Sequence, residues 1–266
     1  MTILYFCTTW GQKMGSWDDF FSRIVTHGYQ GVETGLPEET ERAEFTEGLD
    51  KYGLKFIAQH WETTAAAIGL HQQQYEDRLR KLAGLKPLFI NSHTGRDFFT
   101  HARNCSLLDI AEKVAQDTGV QVVHETHRSR FAYAAHATLP YLQERPALSL
   151  TLDISHWCAV AESLLQDQPE AVDTAIRCTR HIHARVGFAQ GPQVADPSLP
   201  VYREALDFHL SCWDKVVTNT SQEVLTITPE FGPPPYMPPD QPEDQQWQNN
   251  LYLMNLLKNR YQLNQS

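Results

Sequence analysis

Four titratable side chains follow an apolar run in the segment VVHETHR, residues 122–128: His124, Glu125, His127 and Arg128. A buried strand needs no such groups, whereas imidazole and carboxylate side chains bind metal ions and transfer protons. The segment HETH is not the helical zinc motif HExxH, because its histidines are three positions apart and follow a strand. The pattern therefore predicts chemistry at the end of this strand.

Similar groups stand at or near the ends of other apolar runs. LSLTLDISHW contains Asp153 and His156, HIHAR contains His181, His183 and Arg185, and TPEFG contains Glu230; earlier runs contribute Glu33, His60 and His93. A lone histidine at such a position is more often hydrogen-bonded in the core or rim. A lone glutamate often caps a helix or pairs with arginine. The repetition along the chain favours a shared site over separate structural roles.

The elements that position these residues alternate along the chain. The strand candidates are ILYFCTTW, GVETGL, LKFIAQHW, LFINSHTG, VQVVHETH, LSLTLDISHW, HIHARVG and VLTITPEFG, and helix candidates between them include SWDDFFSRIVTHG, TERAEFTEGLDKYG, LLDIAEKVAQDTG and YREALDFHLSCWDKVV. Several helix candidates open with Ser or Thr and end at Gly, as helix caps do. The short, apolar, β-branched strands are typical of a parallel sheet covered by helices.

Eight strand–helix units predict an α/β fold, a (β/α)8 TIM barrel that forms a single domain over residues 1–266. A doubly wound open sheet is the alternative, but the near-regular spacing favours closure. A proline-rich stretch at 232–243 is predicted to be a loop at the barrel mouth before the last helix. The chain contains neither GxGxxG nor GxxxxGK[ST], so its sequence gives no support to a nucleotide-phosphate cradle.

In a TIM barrel the carboxyl ends of the strands meet at one rim. We therefore expect four neighbouring strands to bring Glu125, Asp153, His183 and Glu230 together. Three adjacent carboxylates repel one another unless a cation compensates them. Three carboxylates and one imidazole suit a divalent ion such as Mn²⁺, Mg²⁺, Co²⁺ or Zn²⁺.

At these residues the sequence resembles the xylose isomerase-like TIM barrel superfamily, the sugar isomerases and epimerases. The resemblance rests on GVETG, LDISHW, HIHAR and TPEFG, which are specific as an ordered set. It implies metal ligation by Glu125, Asp153, His183 and Glu230, with His183 preferred over His181 because the second histidine of H-x-H is the usual ligand.

The resemblance also implies a mechanism, in which a proton is removed from the carbon next to a carbonyl through an enediolate. Glu125 and Glu230 are then both ligands and the catalytic base and acid. Two such groups permit epimerisation, and one suffices for aldose–ketose isomerisation. The predicted substrate-binding residues are His156, Arg185, His127, His60 and His93.

Two departures from the family pattern leave the substrate open. Val186 stands where members often carry the Asp of a polar pair, and GFAQGPQVADPSLP replaces a short acidic loop. Both changes fall in the substrate-recognition region. A sugar or a sugar acid therefore remains the expected substrate class.

Composition excludes some functions and leaves others open. The net charge of -10 disfavours nucleic-acid binding. No stretch approaches the roughly 18 apolar residues of a membrane span, and no signal peptide is recognised. The five cysteines form no CxxC pair. They predict reduced thiols in a cytoplasmic protein. A homo-oligomer is compatible with the resemblance.

Other functions remain open on the same fold. The superfamily includes apurinic-site endonucleases, in which strands three and four supply ligands to an additional metal. His60 and His93 place a second ion, bridged by Glu125, among the expectations. The segment that directly follows strand seven, ARVGFAQGPQVADPSLP, lacks the D-x-H triplet that those nucleases use. A metal-dependent hydrolase or dehydratase and a catalytically inert binding barrel are further alternatives.

Overall fold

The computed structural model describes residues 1–262, in which eight parallel strands form a closed barrel in the order β1 to β8. The strands are β1 (Thr2–Thr8), β2 (Gly31–Thr34), β3 (Lys55–His60), β4 (Ile90–Ser92), β5 (Val122–Glu125), β6 (Leu150–Leu152), β7 (Thr179–Ala184) and β8 (Val224–Pro229). β8 pairs in parallel with β1, with Leu4 opposite Thr226, and this pairing closes the sheet. The predicted single-domain (β/α)8 fold is confirmed.

Nine helices surround the barrel over the same residues. They are α1 (Trp17–Thr26), α2 (Arg42–Tyr52), α3 (Ile68–Ala83), α4 (His101–Thr118), α5 (Ala135–Glu144), α6 (Ile154–Ala161), α7 (Pro169–Arg177), α8 (Arg203–Asn219) and α9 (Gln245–Gln262). Ser16 caps α1 by accepting a hydrogen bond from the Asp19 amide, and Thr100 caps α4 in the same way. Gly53 and Gly119 end α2 and α4 in the left-handed conformation. No helix within residues 1–262 has the length and apolarity that crossing a membrane requires.

Side chains alternate between the barrel interior and the helical layer along each strand. In β5, Val122 packs in the core against the helices, whereas Val123 belongs to a small interior cluster. That cluster also contains Phe6, Ile57 and Phe89. Two residues beyond Val123, Glu125 faces the same interior. The barrel is therefore apolar at its base and polar at its mouth.

Strand six ends earlier than the sequence suggests. β6 stops at Leu152, and Asp153 caps the following helix α6 by accepting a hydrogen bond from the Ser155 amide at 3.1 Å. His156 consequently lies in the first turn of a helix instead of at a strand end. The apolar run before Asp153 predicts that the strand continues through Asp-Ile-Ser. The structure differs because the aspartate caps a helix that begins at the next residue.

The proline-rich stretch 232–243 lies between β8 and α9. Gln193, in the loop after β7, holds its first residue through two hydrogen bonds to the Gly232 backbone, at 2.7 and 3.1 Å. A Cβ at Gly232 would come within 2.1 Å of the Trp10 ring, so only glycine fits this approach. The loops after β1, β7 and β8 are thereby packed together at the mouth.

Gly31→Ala tests how tightly β1, β2 and β3 are packed. A Cβ there would lie 2.2 Å from the Phe6 ring and 2.6 Å from the Lys55 carbonyl oxygen. We expect the free energy of unfolding to fall by about 1–3 kcal/mol, because backbone must move. The measurement is urea denaturation. Gly69→Ala is the control. An added Cβ at this exposed helical position would meet no atom within 4 Å, so the free energy of unfolding should rise by up to about 1 kcal/mol. Equal effects of both substitutions would contradict the packing.

Candidate metal centre

Four metal-binding side chains converge at the barrel mouth. Glu125, Asp153, His183 and Glu230 each offer one ligand atom, and these atoms lie within 4.8 Å of one another. The Nδ1 atom of His183 is 3.1 Å from an oxygen of Glu230 and 3.4 Å from one of Glu125. All four side chains are buried. Each side chain comes from a different strand. Glu125 ends β5, Asp153 follows β6, His183 is the next-to-last residue of β7, and Glu230 follows β8.

His183 presents an unused nitrogen to this group. Its Nε2 atom lies 2.9 Å from Glu33 Oε1, which orients the ring. Its Nδ1 atom is buried and has no hydrogen-bond partner within residues 1–262. Buried polar atoms without partners are rare in folded proteins. This unpartnered imidazole nitrogen and the three carboxylates together form the donor set of a divalent-metal site, so the residues fit such an ion.

Glu33 lies directly below the four-residue group. Its carboxylate accepts a hydrogen bond from Thr228 Oγ1 at 2.5 Å and contacts His181 Nε2 at 3.1 Å, besides His183. Burial would raise the pKa of Glu33, but His183 and His181 lower it below its ordinary value. Glu33 is therefore an anion that fixes the ring of His183. Carboxylates in this position commonly orient metal-binding histidines.

Asn91 links Glu33 to the upper group. Its amide nitrogen donates to Glu33 Oε1 and to Glu125 Oε2, both at 2.9 Å. Glu125 Oε2 also lies 2.9 Å from His93 Nε2. Burial would raise the pKa of Glu125, but His93 and His183 hold it well below its ordinary value. Glu125 is thus ionised, as a ligand or a base must be.

Arg185 supplies positive charge to the same cluster. Its Nη2 atom donates to Asp153 Oδ2, lies 3.7 Å from Glu230 Oε2, and is 2.7 Å from His156 Nε2. Burial raises the pKa of Asp153 to about 6; Arg185 opposes this rise, whereas Glu230 and Glu125 add to it. The fully buried guanidinium therefore compensates carboxylates that would otherwise repel one another.

A cavity of about 430 Å³ lies above the four-residue group. Its lining residues are Thr9, Trp10, Gln59, Trp61, His93, Glu125, His127, Arg130, Arg185, Glu230 and Tyr236. Of the four candidate ligands, Glu125 and Glu230 line the cavity, whereas Asp153 and His183 do not. The two residues predicted as base and acid are thus the two that can meet a bound molecule.

The predicted substrate-binding residues divide into two groups. His93, His127 and Arg185 line the cavity, but His60 and His156 do not. His60 points outward from β3, where its ring nitrogens lie 3.2 Å from Ser92 Oγ and 2.8 Å from Thr63 Oγ1. His156 is fully buried behind Arg185. The alternation along β3 turns the preceding residue, Gln59, into the cavity in place of His60.

A second group of possible ligands shares Glu125. One ligand atom from each of His93, Glu125 and His127 lies within 4.8 Å of the others, and the two imidazole rings are 4.3 Å apart. Nδ1 of His127 lies 2.5 Å from the Arg128 carbonyl oxygen, so it donates there and leaves Nε2 as the available nitrogen. From the sequence we expected His60 and His93 to hold a second ion. The structure instead places His127 beside His93.

Besides Thr9 and Gln59, two further cavity residues were not found from the sequence, Arg130 and Tyr236. Arg130 is buried and donates to the carbonyl oxygens of Thr63, His93 and Trp61, which ties together the loops after β3 and β4. Tyr236 projects from the proline-rich loop; its hydroxyl accepts a hydrogen bond from Arg128 at 3.0 Å, and its ring lies 5.0 Å from that of Trp10. Neither residue directly follows an apolar run, so the pattern of polar strand ends does not reveal them.

Among the aromatic side chains, Trp10, Trp61 and Tyr236 line the cavity. Trp157 and Phe231 also stand near strand ends, but both are completely buried in the main hydrophobic core. The indole nitrogen of Trp157 donates to the Ala132 carbonyl oxygen at 2.9 Å. These two rings therefore support the rim instead of facing a substrate.

Comparison with known proteins is informative at the level of structure. No protein-family model and no curated protein sequence matches the chain. Several solved structures match it. D-allulose 3-epimerase from Methylomonas sp. has a TM-score of 0.67 and 14% identity, covering 97% of this chain and 98% of the epimerase. Endonuclease IV from Thermus thermophilus has a TM-score of 0.63 and 13% identity, covering 96% of this chain and 99% of the endonuclease.

A third similar structure is a xylose isomerase-like TIM barrel protein from Mycobacterium smegmatis in complex with magnesium. Its TM-score is 0.61 at 9% identity, over 91% of this chain and 88% of the other. The fold is that of the xylose isomerase-like TIM barrels. The resemblance inferred from the four sequence motifs is thus confirmed for the fold. These identities do not by themselves carry a reaction or a substrate to this chain.

Arg185→Met tests the charge balance of the site. The substitution keeps much of the side-chain volume but leaves Asp153 without its buried cation. We expect the metal-free protein to lose about 3–5 kcal/mol of unfolding free energy, as breaking a buried ion pair does. The measurement is urea denaturation in the presence of a chelator.

The matched control is Arg203→Met, which removes an exposed ion pair with Asp207 on α8. Solvent screens that pair, so the unfolding free energy should barely change. A similar loss in both variants would show that Arg185 contributes through general packing and not through charge compensation.

Proposed function

We propose that the protein is a divalent-metal-dependent isomerase or epimerase that acts on a sugar or a sugar acid. The observation that carries this proposal is the group of four buried ligand atoms within 4.8 Å at the mouth of a closed barrel. The unpartnered His183 Nδ1 and the adjoining cavity support it. The similarity to D-allulose 3-epimerase and to a magnesium-bound barrel agrees with it.

Glu125, Asp153, His183 and Glu230 are the proposed ligands of one Mn²⁺, Mg²⁺, Co²⁺ or Zn²⁺ ion. When bound, such an ion stabilises the negative charge that develops on substrate oxygens during removal of a proton beside a carbonyl. Glu33 keeps the His183 ring in place for this role, through the contact at its Nε2 atom.

Glu125 and Glu230 are the proposed catalytic groups. They stand on β5 and after β8, three strand positions apart, and both line the cavity. One carboxylate takes the proton from the carbon next to the carbonyl, and a carboxyl group returns a proton to the substrate. Return from the opposite side inverts that carbon, as in epimerisation. Return to the neighbouring carbon, together with transfer of the hydroxyl proton from one oxygen to the other, converts an aldose to a ketose.

Polar and aromatic groups around the cavity would hold the substrate. His93, His127, Arg185 and Gln59 offer hydrogen bonds to hydroxyl or carboxylate oxygens. The rings of Trp10, Trp61 and Tyr236 offer apolar surface to the C–H faces of a sugar. His60 and His156 have no part in this arrangement, because both lie outside the cavity lining.

A second ion has a defined place in the proposal. His93, Glu125 and His127 would hold it, and Glu125 would then belong to both groups of ligands. His60 would not contribute, because its ring nitrogens contact Ser92 and Thr63. The donor set of two imidazoles and one carboxylate favours a borderline ion such as Zn²⁺.

Metal stoichiometry tests the first centre. Protein dialysed against a divalent ion should retain one ion per chain at the four-residue group, and Asp153→Ala and Glu230→Gln should each lose it. Elemental analysis provides the measurement. Glu62→Gln, which removes a carboxylate paired with Arg78 outside the cavity lining, should retain the ion. Unchanged stoichiometry in both site variants would refute the centre.

His127→Ala addresses the second ion separately, because it leaves the four-residue group intact. Loss of an ion in this variant, with no further loss in His60→Ala, assigns the second position to His127. Retention of every ion in His127→Ala would exclude His127 as a ligand.

Proton abstraction is tested by isotope exchange. Incubation with aldoses, ketoses and sugar acids in D₂O should incorporate deuterium next to the carbonyl of at least one compound, measured by NMR. Glu125→Gln should slow exchange by about 100-fold or more, because its amide cannot act as a base. Metal content measured on the same sample separates loss of the base from loss of the ion. Absence of exchange across the panel with metal bound would contradict the proposed reaction.

A phosphodiester hydrolase is the second candidate, favoured by the structural similarity to endonuclease IV and by the His93–Glu125–His127 group. Incision of an abasic-site duplex at low salt tests it directly. The net charge of -10 predicts no cleavage, since DNA-binding surfaces are basic. If neither exchange nor cleavage occurs, a catalytically inert binding barrel becomes the better description.

A further inference from the structure

A separate group of metal-binding side chains lies on the outer helical layer. His101 and Cys105 stand on α4, and Glu144 is the last residue of α5. One ligand atom from each lies within 4.8 Å of the others. None of the three lines the cavity at the barrel mouth. The group is therefore independent of the reaction proposed above.

The distances within this group match those of a shared tetrahedral ion. His101 Nε2 lies 3.3 Å from Glu144 Oε2, and 3.9 Å from Cys105 Sγ. Tetrahedral zinc has bonds of about 2.0–2.1 Å to nitrogen, about 2.0–2.2 Å to oxygen and about 2.3 Å to sulfur, so its ligands are separated by about 3.3 Å (N to O) and about 3.6 Å (N to S). Adjustments of a few tenths of an ångström satisfy both separations.

Neighbouring residues hold these ligands in place. His101 and Cys105 are four positions apart, which puts both on one face of α4. The Tyr141 ring stacks on the His101 ring at 4.3 Å with an angle of 29°, and this limits its rotation. Glu144 ends α5, where the partial negative charge of the helix terminus favours a cation. The His101 ring is thus restrained before an ion arrives, whereas the exposed Glu144 side chain reaches the site through its contact with His101.

The thiol of Cys105 is half-buried beside Arg145. Burial raises the pKa of this thiol, and the nearby Arg145 guanidinium opposes that rise. Arg145 itself is paired with Asp109 at 2.7 Å, so its charge is partly satisfied before any ion binds. Thiolate formation therefore depends mainly on the incoming cation, as in structural zinc sites.

We propose that His101, Cys105 and Glu144 bind a zinc ion that links α4 to α5 on the outside of the barrel. Imidazole, thiolate and carboxylate are three of the protein ligands that zinc takes, and water completes its coordination. On binding, the Cys105 thiol releases its proton to solvent and the sulfur donates to zinc. The thiolate discriminates against Mg²⁺ and Mn²⁺. This site therefore differs in the ions it accepts from the four-residue group at the barrel mouth, called the barrel centre below.

Cobalt substitution distinguishes the two sites, because a thiolate bound to Co²⁺ gives a near-ultraviolet charge-transfer absorption. The barrel centre has three carboxylates and one imidazole and cannot produce this band. We expect full-length protein titrated with Co²⁺ to develop the band, and Cys105→Ser to lose it. Cys178→Ser, which removes a half-buried cysteine away from this group, should retain it.

Zinc affinity gives a second readout that does not depend on sulfur absorption. His101→Gln and Glu144→Gln should each weaken zinc binding by about 10-fold or more, because loss of a direct ligand should cost at least as much as loss of a residue that supports one. Zinc should raise the thermal midpoint of the wild type more than that of Cys105→Ser. The barrel centre, assayed by isotope exchange, should be unaffected by Cys105→Ser.

Absence of the cobalt band in the wild type, or its persistence in Cys105→Ser, would overturn the proposal. These outcomes do not depend on whether the barrel centre binds metal. Should Cys105→Ser fail to fold, His101→Gln provides the same test, because a band of unchanged intensity in that variant excludes the site.

Discussion

Burying several carboxylates side by side is unfavourable unless cations and hydrogen-bond donors compensate them. This constraint organises the upper half of the barrel. Glu33 is held by His181, His183 and Thr228, Glu125 by Asn91 and His93, and Asp153 by Arg185 and Ser155. The atoms around His183 Nδ1 form the candidate metal site. The charges that limit the stability of the metal-free protein are therefore the same ones that a bound cation would compensate.

The barrel permits this concentration of charge because its two ends have different roles. Phe6, Ile57, Phe89 and Val123 fill the interior at the base, and the main core lies between the strands and the helices. Packing in these regions supplies hydrophobic stabilisation without any contribution from the mouth. Polar residues two positions further along the strands are then not needed for hydrophobic packing and are available for binding and catalysis. The separation also explains why loops after several strands, and not one contiguous segment, build the cavity.

The fold and the four-residue group were accessible from the sequence because four neighbouring strands carry these polar residues at or directly beyond their ends. Eight apolar runs with capped helices between them define the barrel, and the strand ends then define the rim. The direction of individual side chains was less accessible. His60 and Gln59 are adjacent, and only the pairing of β3 with β4 fixes which one faces the cavity. Arg130 and Tyr236 lie in loops whose paths depend on contacts with residues distant in the chain, such as the Arg130 bonds to Thr63 and Trp61.

Arg185 bears on the choice among the proposed substrates. Val186 is buried in the core, so the position that often carries an aspartate in the family adds no charge to this rim. Arg185, one residue earlier, pairs with Asp153 and lies within 5.7 Å of the Trp10 ring and 5.3 Å of the Tyr236 ring. Together with Arg130 it gives the cavity two buried cations in a protein of net charge -10. Within the proposed substrates, we propose that a sugar acid gains more from these guanidinium contacts than a neutral sugar does, provided that a bound ion offsets the repulsion between its carboxylate and Glu125 and Glu230 in the same cavity.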